Sequence, residues 1–301
     1  MKEPEEPLPR QTLSYIRHLL QSRGIQPKNK LGQNFLVDLN LLDLIAQTAE
    51  LSSQDAVLEV GTGTGSLTAK LSDHAGAVVS VEIAADFHNM ASRMLAGRAN
   101  VTLLHADVLE RKNEINPDVF HAWAVAASKH GCSQRKLVAN LPYAIATPVI
   151  GNLLISEVPI ERMVVMVQWE LAERMMALPS TKEYSSLAVL IQSLADVQIV
   201  RQLGPQVFWP MPKVDSAIVL IKPNAEKRRL VPDAVRFRAF LRDLYTHRRK
   251  NLRQAIAGWP SGKKDKKEID IKLAELGIDG SVRAESLDLE QHRRLCAAFG
   301  E

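Results

Sequence analysis

A short apolar run at 56–60 passes without a break into Gly61-Thr-Gly-Thr-Gly65, and helical spacing begins at Ser66. A strand that must enter a helix within five residues needs backbone angles that glycine adopts without strain, and the missing side chains let a ligand approach the main chain. The pattern then recurs. Further strands are expected at 77–81, 101–104 and 136–139, with helices from Ser66 and Ala84 between them. Such alternation implies a doubly wound α/β fold on a parallel sheet. Two more strands are expected at 163–167 and 215–221, and 197–203 is a further candidate.

Around this core the signals are uneven. Residues 1–10, rich in Pro and Glu, are expected to be disordered, and 11–24 has helical spacing at Leu13, Ile16, Leu19 and Leu20. Leu41, Leu42, Ile45 and Ala49 give a second helix within 37–51. Segment 113–135 has no readable period and is expected to be an insertion over the sheet. After Asn224 strand signals stop. Two or three helices are expected there, interrupted by Trp259-Pro-Ser-Gly262 and a lysine-rich run at 263–267 expected to be a solvated loop. A domain of 1–224 followed by a helical domain of 225–301 is therefore expected.

The apolar content of 46% suits a sizeable core, and charges interrupt every apolar run before the roughly 18 residues a bilayer span needs. A soluble, cytoplasmic protein without a signal peptide or membrane attachment is expected. Cys132 and Cys296 form no Cys-x-x-Cys or Cys/His cluster, which argues for a reducing compartment and against a structural metal. Net charge is +4, but residues 225–301 hold 18 Lys and Arg against 12 Asp and Glu. That excess makes a polyanion a plausible partner of the second domain.

Functional candidates gather at strand ends. Gly61, Gly63 and Gly65 form the turn; Glu82, about 20 residues on, ends the next strand and can accept from both hydroxyls of a ribose. Asp107 follows the third strand and can accept from an adenine amino group. Up to this point NAD fits as well as any other nucleotide cofactor. The fourth strand ends in Asn140-Leu141-Pro142-Tyr143, which suits a different chemistry. An aromatic amine attacks an electrophilic methyl poorly until its hydrogens are held, and the Asn140 side-chain oxygen and Leu141 carbonyl can hold them. Pro142 fixes the backbone, and Tyr143 offers a face to an extruded base. No general base is required, and hydride transfer does not fit.

Six collinear segments carry a resemblance: Leu31-Gly-Gln-Asn-Phe-Leu36, Leu58-Glu-Val-Gly-Thr-Gly-Thr-Gly65, Val81-Glu82, Ala106-Asp107, Asn140-Leu-Pro-Tyr143 and Phe208-Trp-Pro-Met-Pro-Lys-Val-Asp-Ser216. From about Lys30 to Phe299 the chain resembles the small-subunit ribosomal RNA adenine dimethyltransferase family. The resemblance implies a Rossmann-like S-adenosylmethionine-dependent methyltransferase sheet with a small C-terminal helical domain. It implies Asn34 and Leu36 at the methionine end of S-adenosylmethionine, Gly61 at the turn, Glu82 on the ribose, Asp107 on the adenine, and Asn140 between cofactor and target amine. It also implies Phe208 opposite Tyr143 as an aromatic clamp, although Phe208 and Trp209 fit equally well as core residues. The reaction implied is dimethylation of two adjacent adenosines in the 3′-terminal hairpin of small-subunit ribosomal RNA, within a pre-ribosomal subunit, by a monomer.

Three features depart from the family pattern. Thr62 stands where relatives commonly have proline, Ala144 and Ala146 where they have Asn and Ser, and 113–135 is long. Large-subunit ribosomal RNA methylation of the antibiotic-resistance type is a rival reading. The Phe208-x-Pro-x-Pro-x-Val-x-Ser216 segment and the later Arg283-Ala-Glu285 argue against it. A non-catalytic nucleic-acid-binding factor on the same fold is a second rival, and the intact Gly61 turn, Glu82, Asp107 and Asn140 argue against that. In the tail, Phe237, Phe240, Leu241 and Leu244 mark one helix face. Arg238, Arg242, Arg249 and Arg253 fall on an adjoining face flanked by Arg248 and Lys250, a stripe expected to contact RNA phosphates.

Overall fold

The computed structural model describes residues 12–27, 32–112, 114–260 and 265–300. The expected disorder of 1–10, Leu31 of the first motif, and Lys263 and Lys264 of the lysine run lie outside them. The contacts divide the chain into two compact units, one of 1–169 with 198–221 and the other of 170–197 with 222–301. The sequence boundary at 224 differs from this division in segment 170–197, which packs with the tail.

In the first unit, strands are β1 (Phe35–Leu36), β2 (Asp55–Val60), β3 (Ala77–Glu82), β4 (Val101–His105), β5 (Leu109–Arg111), β6 (Glu114–Ile115), β7 (Gln134–Asn140), β8 (Ile160–Gln168), β9 (Ala195–Leu203), β10 (Phe208–Trp209) and β11 (Ser216–Pro223). β9 and β11 cross the division, with 195–197 and 222–223 assigned to the second unit. Seven strands form one sheet in the order β4-β3-β2-β7-β8-β11-β9. The strands from β4 to β8 are parallel, but β11 pairs antiparallel with β8, so the sheet is mixed rather than wholly parallel. Every residue of β2 and β3 is buried, as expected of strands covered on both faces.

Helices α1 (Leu13–Ser22), α2 (Leu39–Ala49), α3 (Ser66–Ser72), α4 (Ala85–Met94), α5 (Pro117–Lys129) and α6 (Tyr143–Ile155) complete this unit. Segment 113–135 is not an insertion. It supplies β6, which pairs with β5, and then α5, capped by Asn116 with Pro117 at its first turn. Trp123 of α5 is buried and its indole Nε1 donates to Ala56 O at 2.9 Å, binding the helix to β2. The period was hard to read because four of the helix's 13 residues are alanines and its exposed side carries the apolar Val125. At the far end of the sheet, buried Lys136 donates to Ala49 O and Glu50 O, and Arg162 donates to Thr48 O. Two cations therefore satisfy the carbonyls at the C-terminus of α2.

The second unit contains α7 (Trp169–Met176), α8 (Ser186–Leu194), α9 (Ala225–Arg229), α10 (Ala234–Thr246), α11 (Leu252–Ala257), α12 (Lys266–Glu275) and α13 (Leu289–Phe299). Among the described residues five α-helices follow Asn224 rather than two or three, and Lys266 and Lys267 open α12 instead of lying in a loop. Short polar breaks, each closed by an Asn or Asp cap, subdivide the helical pattern. Among the described residues no helix is long and apolar enough to cross a membrane.

Candidate active site

β2, β3, β4 and β7 all end on one side of the sheet, and their C-terminal ends surround a cleft of about 250 Å³. Gly61, Glu82, Asp107 and Asn140 each follow or finish one of these strands, and all four line it. Gly63 and Pro142 line it as well, as does Asn34 from the segment before α2. Residues spread over more than a hundred positions thus meet where ligands bind in open α/β sheets.

The glycines turn as expected, with φ of 87° at Gly61, 53° at Gly63 and 79° at Gly65. A Cβ on Gly63 would lie 3.1 Å from Phe35 Cε1, and one on Gly61 would lie 3.4 Å from Pro142 Cδ. The segment Gly32–Leu36 is therefore laid over the turn, and β1 pairs with β10 through Phe35 with Trp209 and Leu36 with Phe208. Gly65 does not reach the cleft; it caps α3.

Glu82 holds the turn as well as facing the cleft. Its two carboxylate oxygens accept from Gly63 N and Ala84 N, each at 2.9 Å, which ties the glycine turn to the start of α4. Below the turn, Thr62 shares a 2.6 Å buried hydrogen bond with Ser80, and Thr68 donates to Glu59 at 2.5 Å. The turn thus gains from the Thr62 hydroxyl a fixed point that does not depend on proline. Burial pushes the Glu59 carboxyl up to about 8, against the hydrogen bonds of Thr68 and Ser80 and with the charge of Glu82 adding to the rise. Asp107 is exposed, with Oδ1 accepting from Leu109 N at 2.9 Å.

At the end of β7, Asn140 Nδ2 donates to Asn34 O at 2.9 Å, which leaves Oδ1 as the acceptor available to a ligand. Leu141 N donates to Met166 O, Pro142 caps α6, and Tyr143 is the first residue of that helix. The Tyr143 hydroxyl lies 2.7 Å from Ser216 Oγ, and burial raises its pKa. Phe208 does not present an open ring opposite Tyr143. It is 3% exposed and packs in a core cluster with Leu36, Leu203 and Met166. Leu36 is likewise a core side chain, bordering the site through a small cavity beneath the turn. Of the two alanines that depart from the family pattern, Ala144 lines the cleft and Ala146 is fully buried away from it.

Sequence reasoning passed over Phe35 and Ile83. Ile83 lines the cleft while 49% exposed, and the signal for it was an apolar residue placed directly after the acidic strand end. The arginine stripe is not formed as a single helix face. α10 ends at Thr246, Arg249 lies in the following turn, and Arg253 stands on α11, which begins at the Asn251 cap. Arg253 makes a bidentate pair with Asp270, Arg248 pairs with Glu285 and Arg242 Nε pairs with Asp243 at 3.3 Å; Arg242 and Arg249 are the exposed members of the set.

The chain matches the ribosomal RNA adenine dimethylase family over residues 24–297. It belongs to that family. It is 40% identical over 272 residues to the ribosomal RNA small subunit methyltransferase A of Pediococcus pentosaceus, covering 90% of this chain and 89% of that one. The protein of the same name from Geobacillus kaustophilus is 35% identical, with 94% of each chain covered. Among solved structures, a dimethyladenosine transferase from Plasmodium falciparum superposes with a TM-score of 0.68 at 25% identity, over 86% of this chain and 94% of that one. The 23S rRNA methyltransferase ErmE gives 0.59 at 27% identity, over 89% and 100%. Membership makes this chain an S-adenosylmethionine-dependent ribosomal RNA methyltransferase. The cleft fits that cofactor: Gly61 and Gly63 line it where a side chain would crowd Pro142 and Phe35, and the carboxylates of Glu82 and Asp107 stand at two strand ends within it.

Proposed function

We propose that this protein methylates N6 of two adjacent adenosines in the 3′-terminal hairpin of small-subunit ribosomal RNA, as a monomer acting on a pre-ribosomal subunit in the cytoplasm. The relatives at 35–40% identity that carry the small-subunit name support the choice of RNA. The observation that carries the chemistry is the committed amide of Asn140. With Nδ2 held by Asn34 O, the carboxamide cannot flip without losing a bond, so Oδ1 faces an incoming amine as an acceptor.

S-adenosylmethionine supplies an electrophilic methyl on a sulfonium. The protein's part is to hold and to orient. Gly61 and Gly63 would let the cofactor approach the main chain, Glu82 would accept from ribose hydroxyls, and Asp107, one of whose carboxylate oxygens already accepts from Leu109 N, would accept from the adenine amino group. Asn34, with Leu36 behind it and Gly65 capping α3, closes the methionine end. Asn140 Oδ1 and the Leu141 carbonyl hold the N6 hydrogens of the target, which draws the nitrogen lone pair out of conjugation as the bond forms. The N6 proton then leaves to solvent. Tyr143, placed by Pro142, stacks on the extruded base. Phe208 backs the site from the core. In the second unit Arg238, Arg242, Arg248, Arg249 and Arg253 contribute positive charge toward RNA phosphates, with Arg242 and Arg249 the most accessible.

Single-turnover methyl transfer to unmethylated small subunits tests the role of Asn140. Asn140→Ala removes a preorganised acceptor, and the rate should fall about 100- to 1,000-fold while RNA affinity, measured by filter binding, changes little. Near wild-type transfer by a folded Asn140→Ala variant would sink the mechanism.

A further inference from the structure

Tyr143 is held at both ends. Its backbone begins α6 directly after Pro142, and its hydroxyl is 2.7 Å from Ser216 Oγ. Fixing the two ends of a phenol fixes the direction of its long axis, which otherwise chooses among χ1 rotamers. The tether matters because the ring is only partly buried, so packing alone does not hold it.

Ser216 is a fixed point. It is fully buried and opens β11, where its partner across the antiparallel pair is Gln168 of β8. The residue before it is anchored twice: Asp215 O accepts from Trp169 N at 2.9 Å, and its carboxylate accepts from Gln202 Nε2 at 2.9 Å. A hydroxyl a few positions earlier would be a poor anchor, since the segment between β10 and β11 exposes Met211 by 66% and Val214 by 45%.

We propose that Ser216 is a positioning residue for methyl transfer, orienting the Tyr143 ring to receive the target adenine through the hydroxyl–hydroxyl bond between them. This rests on the reading that Tyr143 stacks on that base. It gives the closing serine of the Phe208–Ser216 segment a role beyond strand pairing. Ser216 touches no substrate; it acts through Tyr143.

The test is single-turnover methyl transfer to unmethylated small subunits by wild type, Ser216→Ala, Ser216→Thr, Tyr143→Phe, Tyr143→Ala and the Ser216→Ala/Tyr143→Phe double variant. Loss of one orienting hydrogen bond should slow Ser216→Ala and Tyr143→Phe about 10-fold each. The double variant should fall no further than either single one, because both remove the same bond. Ser216→Thr keeps the hydroxyl and should transfer at close to the wild-type rate, and calorimetric affinity for S-adenosylhomocysteine should be unchanged throughout. Ser216→Ala within about twofold of wild type, or losses that multiply in the double variant, would overturn the proposal. Should Ser216→Ala fail to fold, Tyr143→Phe removes the same bond from the accessible side, and a wild-type rate there overturns it equally. Normal transfer by Tyr143→Ala would instead bring down the stacking reading itself. Loss of transfer in Tyr143→Ala beside wild-type Tyr143→Phe leaves stacking in place and removes only the tether.

Discussion

Glu59 lies in the middle of the sheet beneath the glycine turn, 1% exposed, and its carboxyl is pushed from an ordinary 4.5 up to about 8. Burial is the main cause, and the charge of Glu82 adds to it. Between those two values the folded protein keeps a proton that the unfolded chain has released. The stability this group contributes is therefore fully present below pH 4.5 and is lost as pH rises toward 8. At about 1.4 kcal/mol per pH unit, the loss is on the order of 5 kcal/mol. Glu59→Gln keeps the shape and the oxygen that accepts from Thr68 but cannot ionise. The variant should match wild type near pH 4.5 and gain on it by about 1.4 kcal/mol per unit as pH rises, levelling off near pH 8. Urea unfolding of both proteins at matched pH steps measures this. Taking the difference cancels other titrations, including His292, whose imidazole burial lowers to about 4 and which destabilises the fold as pH falls below 6.5. A stability difference that stays flat between pH 5 and 8 would mean that Glu59 is ionised in the fold, and would refute the reasoning.

Three further outcomes are expected. Glu82→Ala should weaken S-adenosylhomocysteine binding by about 1.5 to 3 kcal/mol in calorimetry, through loss of a charge-assisted acceptor and of the bond that anchors Gly63; unchanged affinity in a folded variant would remove Glu82 from the ribose. Gly63→Ala places a methyl 3.1 Å from the Phe35 ring at a φ of 53°, so it should lower the thermal midpoint by a few degrees, the effect of about 1 kcal/mol or more, and weaken cofactor binding with it. Neutralising the exposed Arg242 and Arg249 together should flatten the log-log salt dependence of RNA binding by about 2, since Arg242 gives only its Nε to Asp243, while Arg253→Ala, removing a less exposed cation held bidentately by Asp270, should change it by less than about 1.

Much of the site was legible because its signals are local. A strand that runs into Gly61-Thr-Gly-Thr-Gly65 must turn there, and Glu82, Asp107 and Asn140 each sit at a strand end that periodicity locates. The arginine stripe misled for the same reason. Helical spacing was extended from Arg238 to Arg253, but Asn251 caps a new helix, and the break at 247–250 rotates the later arginines off the expected face. The stripe of α5 was hard to read because two of its four buried positions, Val119, Trp123, Ala126 and Ala127, are alanines, while an apolar residue, Val125, lies exposed on the other side.

The sequence by itself determined the alternation of strands and helices, the glycine turn, the acids at the strand ends and the Asn140–Tyr143 loop, all set by spacing over a few residues. Only the tertiary structure decided which groups restrain one another. Asn140 takes its orientation from Asn34, 106 positions away, and Tyr143 from Ser216, 73 positions away. Such pairs depend on strand order and on the antiparallel return of β11, which no local period encodes. The same closure put Phe208 into the core and laid Phe35 over Gly63, because the two-residue pairing of β1 with β10 can form only once the sheet has brought its distant ends together.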